Sequence, residues 1–176
     1  LYCDPKDSKK RSDCIITLKV ILECLLKWFA PILSFTTEEI YHLINKEDKE
    51  GSIHLQKFVK IPNQWKNDEL NNKWQKIKLI RDEANISIES KRAEKIIGSS
   101  LEANIEIKIK NQDMFNIAQN QDFSEICITS SALISYDKNL EKDIEVISLK
   151  AIGNKCPVCW KISKEICEKH GHLTVQ

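Results

Sequence analysis

The spacing of apolar residues changes once along this chain, near residue 100, and that change limits the fold more than any other feature. From Ser12 to Phe29 the spacing is helical: Ile15, Leu18, Leu22, Leu25 and Phe29 form one stripe, widened by Cys14, Ile21 and Trp28. So wide a stripe predicts a helix covered on more than one side, as in a bundle. Pro31 then breaks the register. Thr36-Thr37-Glu38-Glu39 fits a capping box, with the Thr36 hydroxyl accepting from the Glu39 amide and the Glu39 carboxylate reaching back. A short helix is expected through Ile40, Leu43 and Ile44. Residues 45–66 read as a polar connector with Gly51 and Pro62, anchored into the bundle by Ile53, Leu55, Phe58 and Trp65. A long helix follows from Asp68 to Ile97, carried by Leu70, Trp74, Ile77, Ile80, Ala84 and Ile88 and stopped by Gly98. At 1.5 Å per residue it would span roughly 40 Å.

Beyond Gly98 the period becomes two. Leu101, Ala103, Ile105, Ile107 and Ile109 alternate with polar residues and predict a strand. A short helix is expected over Asp113–Asn120, and further strands over Ser124–Thr129, Ala132–Tyr136 and Ile144–Ile152. The expected fold class is mainly α: a helical bundle over residues 1–98, a small α+β module over 99–153 and a metal-binding tail over 154–176. The 176 residues are enough for a real core, and four Gly and four Pro leave little room for a loop-rich all-β fold. No apolar run approaches the roughly 20 residues that a bilayer span requires. Leu1-Tyr2-Cys3-Asp4 has neither an initiator Met nor a signal-peptide pattern, and reads as a cut inside a longer chain.

The net charge of +1 says little, but its distribution says more. Residues 1–98 hold 18 Lys and Arg against 15 Asp and Glu, residues 99–153 hold 5 against 9, and residues 154–176 hold 4 against 2. The acidic middle is therefore the segment least suited to a phosphate backbone. Seven cysteines, an odd number without a secretory signal, argue against a disulfide framework and for a reducing compartment. Three of them crowd together as Cys156-Pro157-Val158-Cys159 and Cys167-Glu168-Lys169-His170. Two ligand pairs, each separated by two residues, let tight turns aim four side chains at one tetrahedral ion, and four protein ligands make such a site structural rather than catalytic. Gly153 and Gly171 suit the turns, and His172 is an alternative to His170 as fourth ligand. The competing reading is a set of buried thiols or a redox dithiol, which would need only the first pair and is preceded by no thioredoxin-like unit.

Trp160, directly after the second cysteine, is either a lid on the knuckle or a stacking platform for an unpaired base, flanked by Lys155, Lys161 and Lys164. Lys9, Lys10 and Arg11 precede the first helix, and Arg81, Lys91, Arg92 and Lys95 decorate the long one, an arrangement common on solvated helix faces. Arg81 interrupts an apolar stretch, so it either pairs with a buried carboxylate or faces a ligand. No phosphate loop, dinucleotide fingerprint, zincin helix or nucleophile elbow occurs, and His42 and His54 are isolated. No catalytic set is legible.

Leu1-Tyr2-Cys3-Asp4, Arg11 and the segment Leu26-Lys27-Trp28-Phe29-Ala30-Pro31-Ile32-Leu33-Ser34-Phe35-Thr36-Thr37-Glu38-Glu39-Ile40 together resemble the anticodon-binding helical domain of class I aminoacyl-tRNA synthetases, in the isoleucine, valine and leucine subgroup. Arg81-Asp82-Glu83-Ala84-Asn85, Glu89, Arg92 and Lys95-Ile96-Ile97-Gly98-Ser99-Ser100-Leu101-Glu102-Ala103 resemble the isoleucyl-tRNA synthetase family, and Lys155-Cys156-Pro157-Val158-Cys159-Trp160 resembles the C-terminal zinc module of its bacterial members. The family's second C-x-x-C pair stands here as Cys167-x-x-His170. Lys161-Ile162-Ser163-Lys164 and His170-Gly171-His172 imitate fragments of the family's catalytic signatures, but in reverse order and beside the knuckle.

The resemblance implies an anticodon-binding helical bundle, a small α+β module and a C-terminal zinc knuckle. It implies a structural Zn2+ on Cys156, Cys159, Cys167 and His170, and RNA contacts among Arg11, Arg81, Arg92, Lys95, Trp160 and Lys161. The partner implied is the anticodon arm of an isoleucine tRNA. Catalytic and editing domains would lie upstream in the same polypeptide, a cytoplasmic monomer that uses ATP outside this segment. The rival reading is a helical, zinc-containing protein-interaction module that binds no RNA.

Overall fold

The computed structural model describes residues 3–48, 50–167 and 170. The chain forms two compact units, residues 1–66 and residues 67–176. Helices make up the first unit, and helices on a three-stranded sheet the second.

In the first unit, α1 (Lys9–Phe29) starts where the Ser8 hydroxyl accepts from the Arg11 amide, and it ends just before Pro31. Helix α2 (Ser34–Ile44) starts three residues earlier than the capping box predicts, with Leu33 rather than Thr36 at its N-cap. Thr36 thus lies inside the helix, and Thr37 is the buried residue, its hydroxyl donating to Leu33 O and Ser34 O. Glu38, rather than Glu39, does the tying: its carboxylate accepts from the Ile53 amide and the Ser52 hydroxyl, each at 2.9 Å. That pair of bonds brings the connector back onto α2 and buries Ile53 with Leu26, Ala30 and Tyr41. The other expected anchors, Leu55, Phe58 and Trp65, remain exposed, because the connector makes only single 3-10 turns at 53–55 and 63–65.

The second unit begins with α3 (Asp68–Ala93), capped by the Asn67 side chain. Its stripe Ile77, Ile80, Ala84 and Ile88 is buried, while Leu70 and Trp74 at the helix start stay largely exposed. The helix stops before Gly98. Lys95 takes a left-handed φ of 58°, so that the Lys95 amide donates to Arg92 O and the Ile96 amide to Lys91 O, satisfying the last carbonyls without a glycine. Strand β1 (Ala103–Ile109) is central and alternates as expected, with Ala103, Ile105, Ile107 and Ile109 buried. It pairs in parallel with β2 (Ser131–Tyr136) and antiparallel with β3 (Ile144–Lys150), giving the order β2-β1-β3.

A parallel pair needs a crossover, here supplied by α4 (Gln112–Ala118) and α5 (Phe123–Ile126). The strand expected over Ser124–Thr129 is therefore absent: Asp122 caps a helical turn that buries Phe123, and Ile128 at φ 56° turns the chain into β2. A two-stranded ribbon, β4 (Asn154–Lys155) with β5 (Ile162–Ser163), is the last regular element among the described residues. No helix among the described residues is long and apolar enough to cross a membrane.

Candidate metal centre and nucleic-acid interface

The ribbon frames a tight loop. Gly153, at φ 135°, enters β4 so close to the Ser163 backbone that a side chain there would collide with it. Within the loop the Cys156 amide donates to Lys161 O and the Trp160 amide to Cys156 O, curling residues 156–160 into a knuckle. Trp160 closes the turn at φ 64°, a conformation that ordinarily favours glycine. The curl brings Cys156 and Cys159 to one side of the loop, facing Cys167 and His170.

The four donor atoms lie within 4.8 Å of one another. Cys159 Sγ is 3.7 Å from Cys167 Sγ, and His170 Nδ1 is 3.6 Å from Cys156 Sγ and 3.2 Å from Cys167 Sγ. Thiolate and imidazole donors at about 2.3 and 2.0 Å from one tetrahedral zinc stand roughly 3.5–3.8 Å apart. The donor set and its spacing therefore fit a zinc ion, with His170 binding through Nδ1. His172, the alternative fourth ligand, lies outside the described residues. Cys156 is 1% exposed. Burial alone would raise its thiol, but the Cys159 and Val158 amides pointing at its sulfur bring it down to about 6. Burial and the neighbouring sulfurs push Cys159 up to about 11. The two amides thus favour the thiolate form of Cys156, the form that a metal takes up.

The expected RNA-contacting residues are divided between the two units. Arg11 sits at the start of α1 in the first unit, half-buried, with its guanidinium 3.5 Å from Asp4 O. Arg81 is exposed on α3 and makes no ion pair among the described residues, so the buried-carboxylate alternative is not realised. Its charge acts instead on Cys127, whose thiol burial pushes up to about 11. Arg92 pairs with Glu89 at 2.7 Å on an exposed face, and Lys95 projects from the left-handed turn that ends α3. Trp160 is 57% exposed, with Lys155 Nζ 5.0 Å from its ring centre, a cation–π contact on an open aromatic face. The Lys161 amine is turned back into the unit, donating to Ser124 Oγ at 2.6 Å. Ser124 and Ser130 carry no sequence motif, and their part in seating the knuckle emerges only from the fold.

The family model described as the anticodon-binding domain of tRNA ligase matches residues 1–108, more than half of the chain. The chain belongs to the anticodon-binding tRNA ligase family. Curated relatives match over most of the chain. It is 58% identical to the isoleucine–tRNA ligase of Pelagibacter ubique over 97% of its own length, and 38% identical to that of Agrobacterium fabrum over 94%. A similar ligase of Bartonella henselae is 36% identical over 94%. The chain spans 18% of the length of each of these relatives.

Proposed function

We propose that this chain is the tRNA-gripping part of an isoleucine–tRNA ligase and binds the anticodon arm of its tRNA. ATP-dependent activation and transfer of isoleucine would then take place in catalytic and editing domains of the same longer polypeptide. The observation that carries this reading is the coincidence, in one chain, of the family match over residues 1–108 with a Cys3His cluster spaced for zinc. Helical elements supply rigidity, cations placed on helix ends and faces supply phosphate contacts, and an open aromatic supplies stacking for an unpaired base. Residues 1–98 and 154–176 are the segments assigned to RNA, with Arg11, Arg81, Arg92, Lys95 and Trp160 as proposed contacts. The more acidic 99–153 serves as a spacer between them. Zinc holds the knuckle together and takes no chemical part.

Direct binding tests this. An anticodon stem-loop of an isoleucine tRNA should bind the zinc-loaded chain more tightly than a hairpin with a scrambled loop. Affinity should fall steeply as salt rises from about 50 to 200 mM, because phosphate contacts release counterions. Equal binding of both hairpins, or none, overturns the reading and favours a protein-docking module. Isoleucine-dependent ATP–pyrophosphate exchange by this chain alone would overturn the assignment of catalysis to other domains.

A further inference from the structure

Among the described residues, the knuckle is joined to the sheet covalently through one of its two strands, β4. Strand β3 ends at Lys150, and after a link of three residues β4 begins at Asn154. In that link Ala151 is pinned, its amide donating to Glu102 O at 2.7 Å, but Ile152 is exposed and Gly153 sits at φ 135°. A ribbon tethered by one strand through such a glycine can swing as a unit. The returning strand closes the hinge: the Ile162 amide donates to Ser130 Oγ at 2.6 Å. The Ser130 hydroxyl in turn donates to Leu101 O at 2.5 Å, so its proton and a lone pair are both committed and its direction is set. The Ser130 backbone is itself fixed, its amide donating to Ala103 O at 2.9 Å. A second tie runs alongside, from Lys161 Nζ to Ser124 Oγ and from the Ser124 hydroxyl to Asp122 Oδ1, both at 2.6 Å.

From these contacts we infer that Ser130 and Lys161 are positioning residues, which lock the zinc knuckle onto the start of β2 and onto α5 so that Trp160 and Lys155 face the RNA from a fixed place. Ser130 holds β5 where the chain itself does not. Lys161 places its charge on Ser124, beside Asp122, rather than on a phosphate. The metal organises the knuckle internally, while the two serines orient it. The part of this inference that concerns RNA rests on the reading given under Proposed function.

The test separates orientation from metal binding and from RNA binding. In the zinc-loaded chain, Ser130→Ala should speed hydrogen exchange at the Ile162 amide at least tenfold. It should also lower the heteronuclear NOE of residues 154–167 relative to β1. The visible spectrum of the cobalt-substituted protein should not change, because all four ligands remain. Ser124→Ala, which leaves Ser130 in place, should loosen the same residues less. Ser130→Thr, which keeps the hydroxyl, should restore protection. Affinity for the anticodon stem-loop should drop several-fold in both alanine variants and recover in the threonine variant. Unchanged Ile162 exchange and NOE in both alanine variants overturn the inference. So does a cobalt spectrum that changes with Ser130→Ala, because the serine would then be shaping the metal centre itself. Should Ser130→Ala fail to fold, Ser124→Ala decides by the same readouts. A wild-type chain that protects Ile162 but ignores the stem-loop sinks the tRNA reading and leaves the docking intact.

Discussion

Helices α1 and α3 carry equally clear apolar stripes, yet they use them differently. In the second unit, α3 sinks Ile77, Ile80, Ala84 and Ile88 against the buried face of β1, and Phe123 and Cys127 join the same core. Among the described residues of the first unit the core cluster is Leu26, Ala30, Tyr41 and Ile53, flanked by Ile40, with Cys24 of α1 also buried. Ile16, Leu18, Ile21, Leu22, Leu25, Trp28 and Phe29 of α1 stay exposed, and Phe35 of α2 is 92% exposed. An amphipathic stripe records that a helix face needs covering, and α3 finds its cover within this chain. Large exposed apolar patches on a soluble protein mark surfaces that meet something else. The first unit therefore has a small store of internal stability, and the second carries most of the chain's own.

The change expected to matter most lies in the knuckle. Cys156→Ser should lower bound zinc from about one per chain to near zero and dissolve the amide dispersion of residues 154–167. The β1–β3 resonances should stay in place, since structural zinc contributes on the order of 10 kcal/mol or more to small domains that have little other core. Metal analysis with a two-dimensional amide spectrum checks both halves of that statement, and loss of the sheet resonances would show that the sheet depends on the knuckle. Next in size is Ile107→Ala, at the centre of the sheet. It should cost the second unit about 2–5 kcal/mol in chemical denaturation, through lost burial and the cavity left behind.

Much of this division was readable in advance and some was not. The alternation from Ala103 to Ile109 gave β1 correctly, because a central strand with one covered face obeys period two without exception. The C-x-x-C and C-x-x-H pairs marked out the four residues that the fold brings within 4.8 Å of one another, because ligand spacing is local chemistry. Ser124–Thr129 misled, because a β-rich stretch beside an Asp cap is helical once a parallel crossover has to be completed. Thr36 misled for a similar reason, since the turn after Pro31 starts α2 early, and Glu38 is bound by residues fourteen and fifteen positions away. Ser130 was invisible: a hydroxyl bridging Leu101 and Ile162 depends on separations that no pattern encodes.

Leu25→Ala in α1 sharpens the comparison between the units. Leu25 has the same place in its stripe as Ile80 has in α3, but it is exposed, so the substitution should change first-unit stability by less than about 0.5 kcal/mol. A loss as large as that of Ile107→Ala would mean that the α1 face is packed in solution.

The smallest effect concerns pH and is confined to the first unit. Burial by itself would raise the Glu38 carboxyl, but the Ile53 amide, the Ser52 hydroxyl and His42 together hold it below its ordinary value of 4.5. A carboxylate depressed in the folded state contributes stability that is fully present above the unfolded value and is lost as the pH falls through the folded one. As the pH falls below 4.5 the Ile53 amide should therefore lose its exchange protection before the amides of β1 do. Glu38→Gln should remove that acid-side step while leaving the second unit's profile unchanged. If Ile53 and Ile107 lose protection together in the wild-type chain, and still do so in Glu38→Gln, then the two units unfold as one and the contrast drawn between them fails.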